Sequence, residues 1–244
     1  MSELTWLYAV VRGPTEPPGR GVAGEKLRTV AHGGLAAVVG SVPETDFGTE
    51  PLRRHLADAR WLEDVARAHH AVVAALSARG PTVPLRLATV YRDDTGVTAM
   101  LAERRAALTA MLTRLAGRTE WGVKVFGAPS APAPEPAVTT GTSYLMRRRA
   151  QRDAAAHAAE ALAEAAERVH ETLAAQAIDA RYHPAVQTAG GDPLALNASY
   201  LVDDEHAERF RQAVVELAEQ HPQARVMLTG PWPAYTFTDL EDER

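Results

Sequence analysis

His55, His69 and His70 fall in one predicted helix, and imidazole is a common metal ligand, so metal binding is the first chemistry to weigh. The spacing argues against it. Fourteen residues separate His55 from His69, which places them roughly 21 Å apart along a helix axis, too far to share an ion. His69 and His70 diverge by about 100° around the helix. No two histidines stand at i, i+4 and no H-E-x-x-H occurs. The pattern instead sets His69 on the apolar face of its helix, among core residues, with its neighbours toward solvent. Nucleophilic chemistry finds no better support. Ser41, Ser77, Ser143 and Ser199 lie in no G-x-S-x-G context. The glycine-rich loops that cradle phosphate, G-x-G-x-x-G and G-x-x-x-x-G-K-[ST], are absent. Asp93-Asp94 and Asp203-Asp204-Glu205 stand at predicted helix starts, where carboxylates answer free N–H groups and suit the helix dipole.

Two stretches remain that need a role. Arg147-Arg148-Arg149 with Arg152 forms a basic start to the longest predicted helix, a placement that opposes the helix dipole. It reads either as a solvated face or as a patch for an acidic partner. Near the C-terminus, "LTGPWPAYTF" (228–237) runs a strand into two prolines and three large aromatics. Proline cannot donate to a ladder, so pairing there must stop or lie at a sheet edge. In an extended chain Pro233, Tyr235 and Phe237 point one way and Trp232 the other. The stretch is read first as a latch lying back across the protein with its aromatics buried, and second as a docking surface. The candidate partner-binding residues are therefore Arg147, Arg148, Trp232 and Tyr235. No catalytic, cofactor-binding or metal-binding residue is assigned.

The elements that position these residues follow from periodicity. Leu4–Val11 and Leu35–Val42 read as strands around a Gly- and Pro-rich loop, 13–24. Pro51–Ala78 reads as a helix with Trp61, Leu62, Val65, His69, Val72, Val73 and Leu76 on one face. A strand over 82–91 and a helix over 95–116 follow. From Trp121 the predicted order is strand, long helix, strand, strand, helix, strand, the βαββαβ order of a ferredoxin-like domain. The fold expected is α+β in two domains, 1–118 and 119–244, with a proline-rich excursion at 128–142 inside the second. A boundary within that excursion is the alternative.

Composition narrows the classes. The chain has 244 residues, 46% of them hydrophobic, with no cysteine, so disulfides, cysteine zinc sites and thiol catalysis are excluded. A net charge of −5 gives no electrostatic reason for nucleic-acid binding. The N-terminus lacks the basic and apolar regions of a signal peptide. No apolar run approaches the ~20 residues of a membrane span. A cytoplasmic protein without contact to a lipid membrane is the expectation.

Six stretches in order, "WLEDVARAHHAVV" (61–73), "VPLRLATVY" (83–91), "EWGVKVFG" (120–127), "SYLMRRRA" (143–150), "LNASYLVD" (196–203) and "LTGPWPAYTF" (228–237), resemble the GvpF/GvpL family of gas vesicle proteins. The resemblance covers nearly the whole chain. Leu87-Ala88 stands where that family often has Phe-Gly, and Ala234 where a second proline is common. The resemblance implies two α+β domains, the second ferredoxin-like, and no enzyme activity or cofactor. It implies an accessory or minor structural role in building gas vesicles, with contacts to the shell protein and other accessory proteins, and a location at the gas vesicle. Two rivals stand beside it, a ferredoxin-like small-molecule regulatory module and a dimeric ferredoxin-like barrel enzyme with His183 as general base.

Overall fold

The computed structural model describes residues 2–127, 141–184 and 192–238. By its contacts the chain divides into two compact units, Met1–Thr119 with Trp232–Arg244, and Glu120–Pro231. The C-terminal segment thus belongs with the first unit, whereas a boundary at 118/119 leaves all of 119–244 in the second. The proline-rich segment 128–142 lies outside the described residues except for Gly141 and Thr142, which open a helix.

The first unit is built on β1 (Glu3–Arg12), β2 (Leu27–His32), β3 (Leu35–Pro43), β4 (Thr82–Pro84) and β5 (Val90–Tyr91). The sheet order is β2-β3-β1-β4, with β5 also pairing β1, and the pairs are antiparallel. β1 is buried from Thr5 to Val11, as a continuous apolar run is when both faces of its sheet are covered. Helices α1 (Glu44–Phe47), α2 (Thr49–His55) and α3 (Ala59–Ser77) bury Phe47, Leu52, Val65, Val72, Val73 and Leu76 against Trp6, Tyr8 and Val38. Helices α4 (Asp94–Glu103) and α5 (Arg105–Arg114) lie against β2 and β3, and β1 and β4, respectively. An ion pair locks α4 in place. Arg28 reaches both carboxylate oxygens of Asp94, at 2.5 and 3.2 Å, and also Ser41 and Thr5. The Arg28 hydrogen bonds hold the Asp94 carboxyl below its usual range.

Three predicted elements are interrupted. The helix read over 51–78 breaks before Asp58, whose side chain accepts from Arg60 N and Trp61 N and so starts α3 afresh. The helix read over 95–116 is parted at Arg104, where the backbone leaves helical geometry. The strand read over 82–91 is split because it turns at Leu87-Ala88, between the hydrogen bonds that Leu85 N gives to Tyr8 O and Leu7 N gives to Thr89 O. Ala88 sits in that turn with φ +67, in the left-handed region where a Cβ is crowded. This is the position at which the resembled family often carries glycine. Ala88→Gly is therefore expected to raise stability by about 1 kcal/mol, read as a higher urea midpoint. An unchanged or lower midpoint would show that Ala88 is not strained.

The second unit contains β6 (Arg118–Gly127, with Arg118 and Thr119 still in the first unit), β7 (Asp179–Tyr182), β8 (Leu194–Asp203) and β9 (Ala224–Trp232, leaving the unit at Trp232). They form a second antiparallel sheet in the order β7-β8-β6-β9. Helices α6 (Gly141–Ala174) and α7 (Ala207–Gln220) cover one face. The core joins Trp121, Val123, Val125, Leu196, Ala198, Tyr200 and Val202 of the strands to Leu162, Ala166, Val169 and Leu173 of α6 and Phe210, Val214 and Leu217 of α7. β9 is an edge strand, which is where Pro231 can be tolerated.

Candidate functional site

Near its end β9 passes through a residue that must be glycine. Gly230 has φ +121, and a Cβ there would meet Glu120 O at 2.9 Å. Beyond it, Pro233, Ala234 and Phe237 are buried, Tyr235 is half-buried and Trp232 is 42% exposed. Tyr235–Phe237 winds into a 3₁₀ turn, with Tyr235 N donating to Pro233 O at 2.7 Å. The expected extended alternation is thus lost, and so is the expectation that Trp232 is buried. Phe237 is the anchor. Thr238 Oγ1 adds a hydrogen bond to Pro84 O at 3.3 Å. His70 receives the segment, with its ring 5.3 Å from Trp232 and 6.2 Å from Tyr235. Sequence reasoning set His70 aside as a solvated neighbour, because nothing local to α3 announces a partner more than 160 residues away.

His69, one position earlier, points into the core and is 2% exposed. Trp6 Nε1 donates to His69 Nδ1 at 3.1 Å, and His69 Nε2 stands 3.1 Å from Leu85 O. Indole can only donate, so Nδ1 is the acceptor and Nε2 carries the proton. Burial pulls the His69 pKa down to about 4. Among the described residues, no three of His, Asp and Glu come together as a metal-holding group.

In the second unit, Glu120, Ser199 and His183 form a hydrogen-bonded chain. Ser199 Oγ donates to Glu120 Oε1 at 2.7 Å, and His183 Nε2 lies 2.8 Å from the same Oγ. These are the residue types of a nucleophilic triad in the wrong order. In a triad the imidazole takes the hydroxyl proton and the carboxylate orients the far ring nitrogen. Here the carboxylate holds the hydroxyl proton itself, and Ser199 and Glu120 are only 5% and 7% exposed. The chain cross-ties β6, β8 and the residue after β7, and it does not activate Ser199.

Arg147 and Arg148 lie on α6, each with its guanidinium carbon 5.9 Å from the Tyr144 ring centre. Leu145 and Met146 beside them are 66% and 70% exposed. The structure gives Arg147 and Arg148 one setting, on the second unit, and Trp232 and Tyr235 another, on the first. An open groove of about 530 Å³ between α7 and β9 is lined by Val214, Val215, Ala218, Val226 and Leu228. At its rim Glu208 and Arg211 pair with one another at 2.7 Å.

The model of the family described as gas vesicle synthesis protein GvpL/GvpF matches residues 4–239. The chain belongs to that family. A gas vesicle protein L from a Streptomyces species is 41% identical, over 98% of this chain and 94% of its own length. A gas vesicle protein F from a Streptomyces species is 28% identical, over 96% and 99%. The crystal structure of gas vesicle protein GvpF from an Anabaena species superposes with a TM-score of 0.69 at 17% identity, covering 98% of this chain and 97% of that one. The mixed helix and sheet fold with two antiparallel sheets is therefore the fold of this family. No described helix is long and apolar enough to cross a membrane.

Proposed function

We propose that this chain is an L-type member of its family and works as a non-catalytic accessory or minor structural protein in gas vesicle assembly. The observation that carries the reading is the family match across 4–239, joined to higher identity with the Streptomyces L protein than with the F protein. The inverted order of Glu120, Ser199 and His183 supports a role without catalysis. The α7–β9 groove is open and largely apolar, and of its polar residues Arg211 pairs with Glu208 and Gln212 with Glu216, which suits a contact surface better than a small-molecule site. The second unit is best read as ferredoxin-like, since its strand order β7-β8-β6-β9 with α6 and α7 on one face matches a βαββαβ chain.

In this reading the chain acts at the gas vesicle and touches the shell protein and other accessory proteins. Trp232 and Tyr235 form one contact area and Arg147 and Arg148 another. Complementation of a strain lacking this chain tests it. Wild type restores vesicles, seen by flotation and electron microscopy, and His183→Ala restores them to the same level. A folded His183→Ala protein that gives no vesicles would overturn the non-catalytic reading. Trp232→Ala is expected to leave melting within a few degrees of wild type and to reduce capture of the shell protein at least tenfold. Undiminished capture would remove Trp232 from the contact area.

A further inference from the structure

Three stretches of the first unit carry no acidic residue. Residues 4–15, 65–92 and 104–119 hold nine arginines and not one Asp or Glu, in a chain whose net charge is −5. The fold brings these stretches together, since α3 and α5 each pack on both β1 and β4. Where the end of β1, the start of β4 and the C-terminal end of α3 meet, Arg12 and Arg79 line an open pocket of about 190 Å³. We propose that this pocket is a carboxylate site, through which the first unit takes an acidic segment of a partner protein. The proposal rests on the reading of this chain as one that works through protein contacts.

Both arginines are exposed, and both are held by neutral groups. Arg12 Nη2 donates to Thr113 Oγ1 and, at 3.5 Å, to Thr109 O. Arg79 Nη1 donates to Glu16 O at 3.0 Å. Among the described residues neither has an ion-pair partner. In the same unit Arg28, Arg53 and Arg67 each pair with a carboxylate. Glu16 lies next to the lining residue Thr15, yet it meets Arg79 through its backbone oxygen. A guanidinium carries more N–H donors than these bonds use. A carboxylate between Arg12 and Arg79 therefore finds charge-assisted hydrogen bonds, the stronger class. The C-terminal end of α3 opposes an anion here, with about half an elementary negative charge. The two full positive charges of the lining outweigh it.

The pocket suits a protein segment better than a nucleic acid. Its apolar lining includes Val11, Leu76 and Pro81, with no aromatic ring on which a base would stack. Outside the three stretches the chain is more acidic than its net charge, which repels a long polyanion. A glutamate side chain fits the chemistry, with its methylenes on the aliphatic wall and its carboxylate between the guanidiniums.

The test is a titration of the full chain with a fluorescein-labelled hexaglutamate peptide. Binding is expected with a dissociation constant below about 1 mM. It should weaken as salt rises, because exposed charges are screened beyond about 10 Å at 0.1 M. Arg12→Gln and Arg79→Gln should each weaken binding about threefold, and together about tenfold. Arg53→Gln removes an exposed arginine that pairs with Glu50 on α2 and should leave binding unchanged. Melting curves show whether each variant is folded. The Arg79 side chain makes one hydrogen bond, to a loop carbonyl, so Arg79→Gln keeps the test decisive if Arg12→Gln unfolds. Absence of hexaglutamate binding overturns the proposal, and so does an equal loss with Arg53→Gln. Tighter binding of an oligothymidylate of the same charge would make this a nucleic-acid site and overturn it too. No vesicle component is present in the titration, so its failure strikes this site alone and leaves the accessory role to the complementation experiment.

Discussion

Truncating Phe237 to alanine is expected to cost about 3–5 kcal/mol, the range for emptying a fully buried aromatic site. Its ring is 1% exposed and, among the described residues after Gly230, is the only large side chain to be fully enclosed. A whole domain is stable by only about 5–15 kcal/mol. The loss should therefore appear as a drop of many degrees in melting temperature. Phe237→Leu should lose roughly a third as much, because most of the buried volume stays. Trp232→Ala provides the contrast, since that ring is 42% exposed and its main neighbour is His70. Urea titrations of the three variants decide the matter. If Phe237→Ala unfolds at the wild-type midpoint, the segment is not an anchor, and its burial contributes nothing to holding the first unit together.

The second large effect is expected from His69 as the pH falls. Its folded pKa, about 4, lies below the ordinary value near 6.5, so the unfolded chain takes up the proton first. Stability from this site is whole above about pH 6.5 and is lost as the pH drops toward 4, by about 3 kcal/mol in all. The hydrogen bonds give the same sign, since a proton on Nδ1 would set an N–H against the Trp6 N–H. His170 is also held below its usual pKa by burial and adds to the slope. The measurement is therefore a difference between wild type and His69→Gln. Glutamine can accept from Trp6 and donate to Leu85 O without titrating. The variant should be much the flatter of the two between pH 6.5 and 4. Equal slopes would mean that His69 titrates normally in the folded chain.

Elements with a regular apolar period could be read directly. β1 and β3 are continuous apolar runs, α3 and α7 carry one-sided stripes, and the stripe Leu162, Ala166, Val169, Leu173 named the packed half of α6. β2 went unrecognised because its buried residues, Leu27 and Val30, are three apart and so fall on opposite faces of the sheet. Arg28 lies between them and makes its bond to Asp94 across 66 residues, which no local pattern encodes. The break before Asp58 had a signal in the Asp cap itself, but the apolar period ran on through it. Rejecting His55 and His69 as a metal pair assumed one helix, and the break before Asp58 removes that premise, since His55 ends α2 and His69 lies in α3. His70 was another matter. Its contacts with Trp232 and Tyr235 come from tertiary packing, as does the inverted order of His183, Ser199 and Glu120.

Trp232 to Thr238 packs with residues near the other end of the chain. That arrangement fixes an order of events during translation. Glu120–Pro231 is one uninterrupted stretch, so everything that unit needs has been made by the time Pro231 is added. The first unit begins earlier but lacks Phe237 throughout that interval. It waits as a nearly finished sheet whose hydrophobic gap only later residues can fill. The part of the protein that leaves the ribosome first is thus the part that closes last. A chain cut between Pro231 and Phe237 would hold every residue of the second unit and leave the first without its anchor.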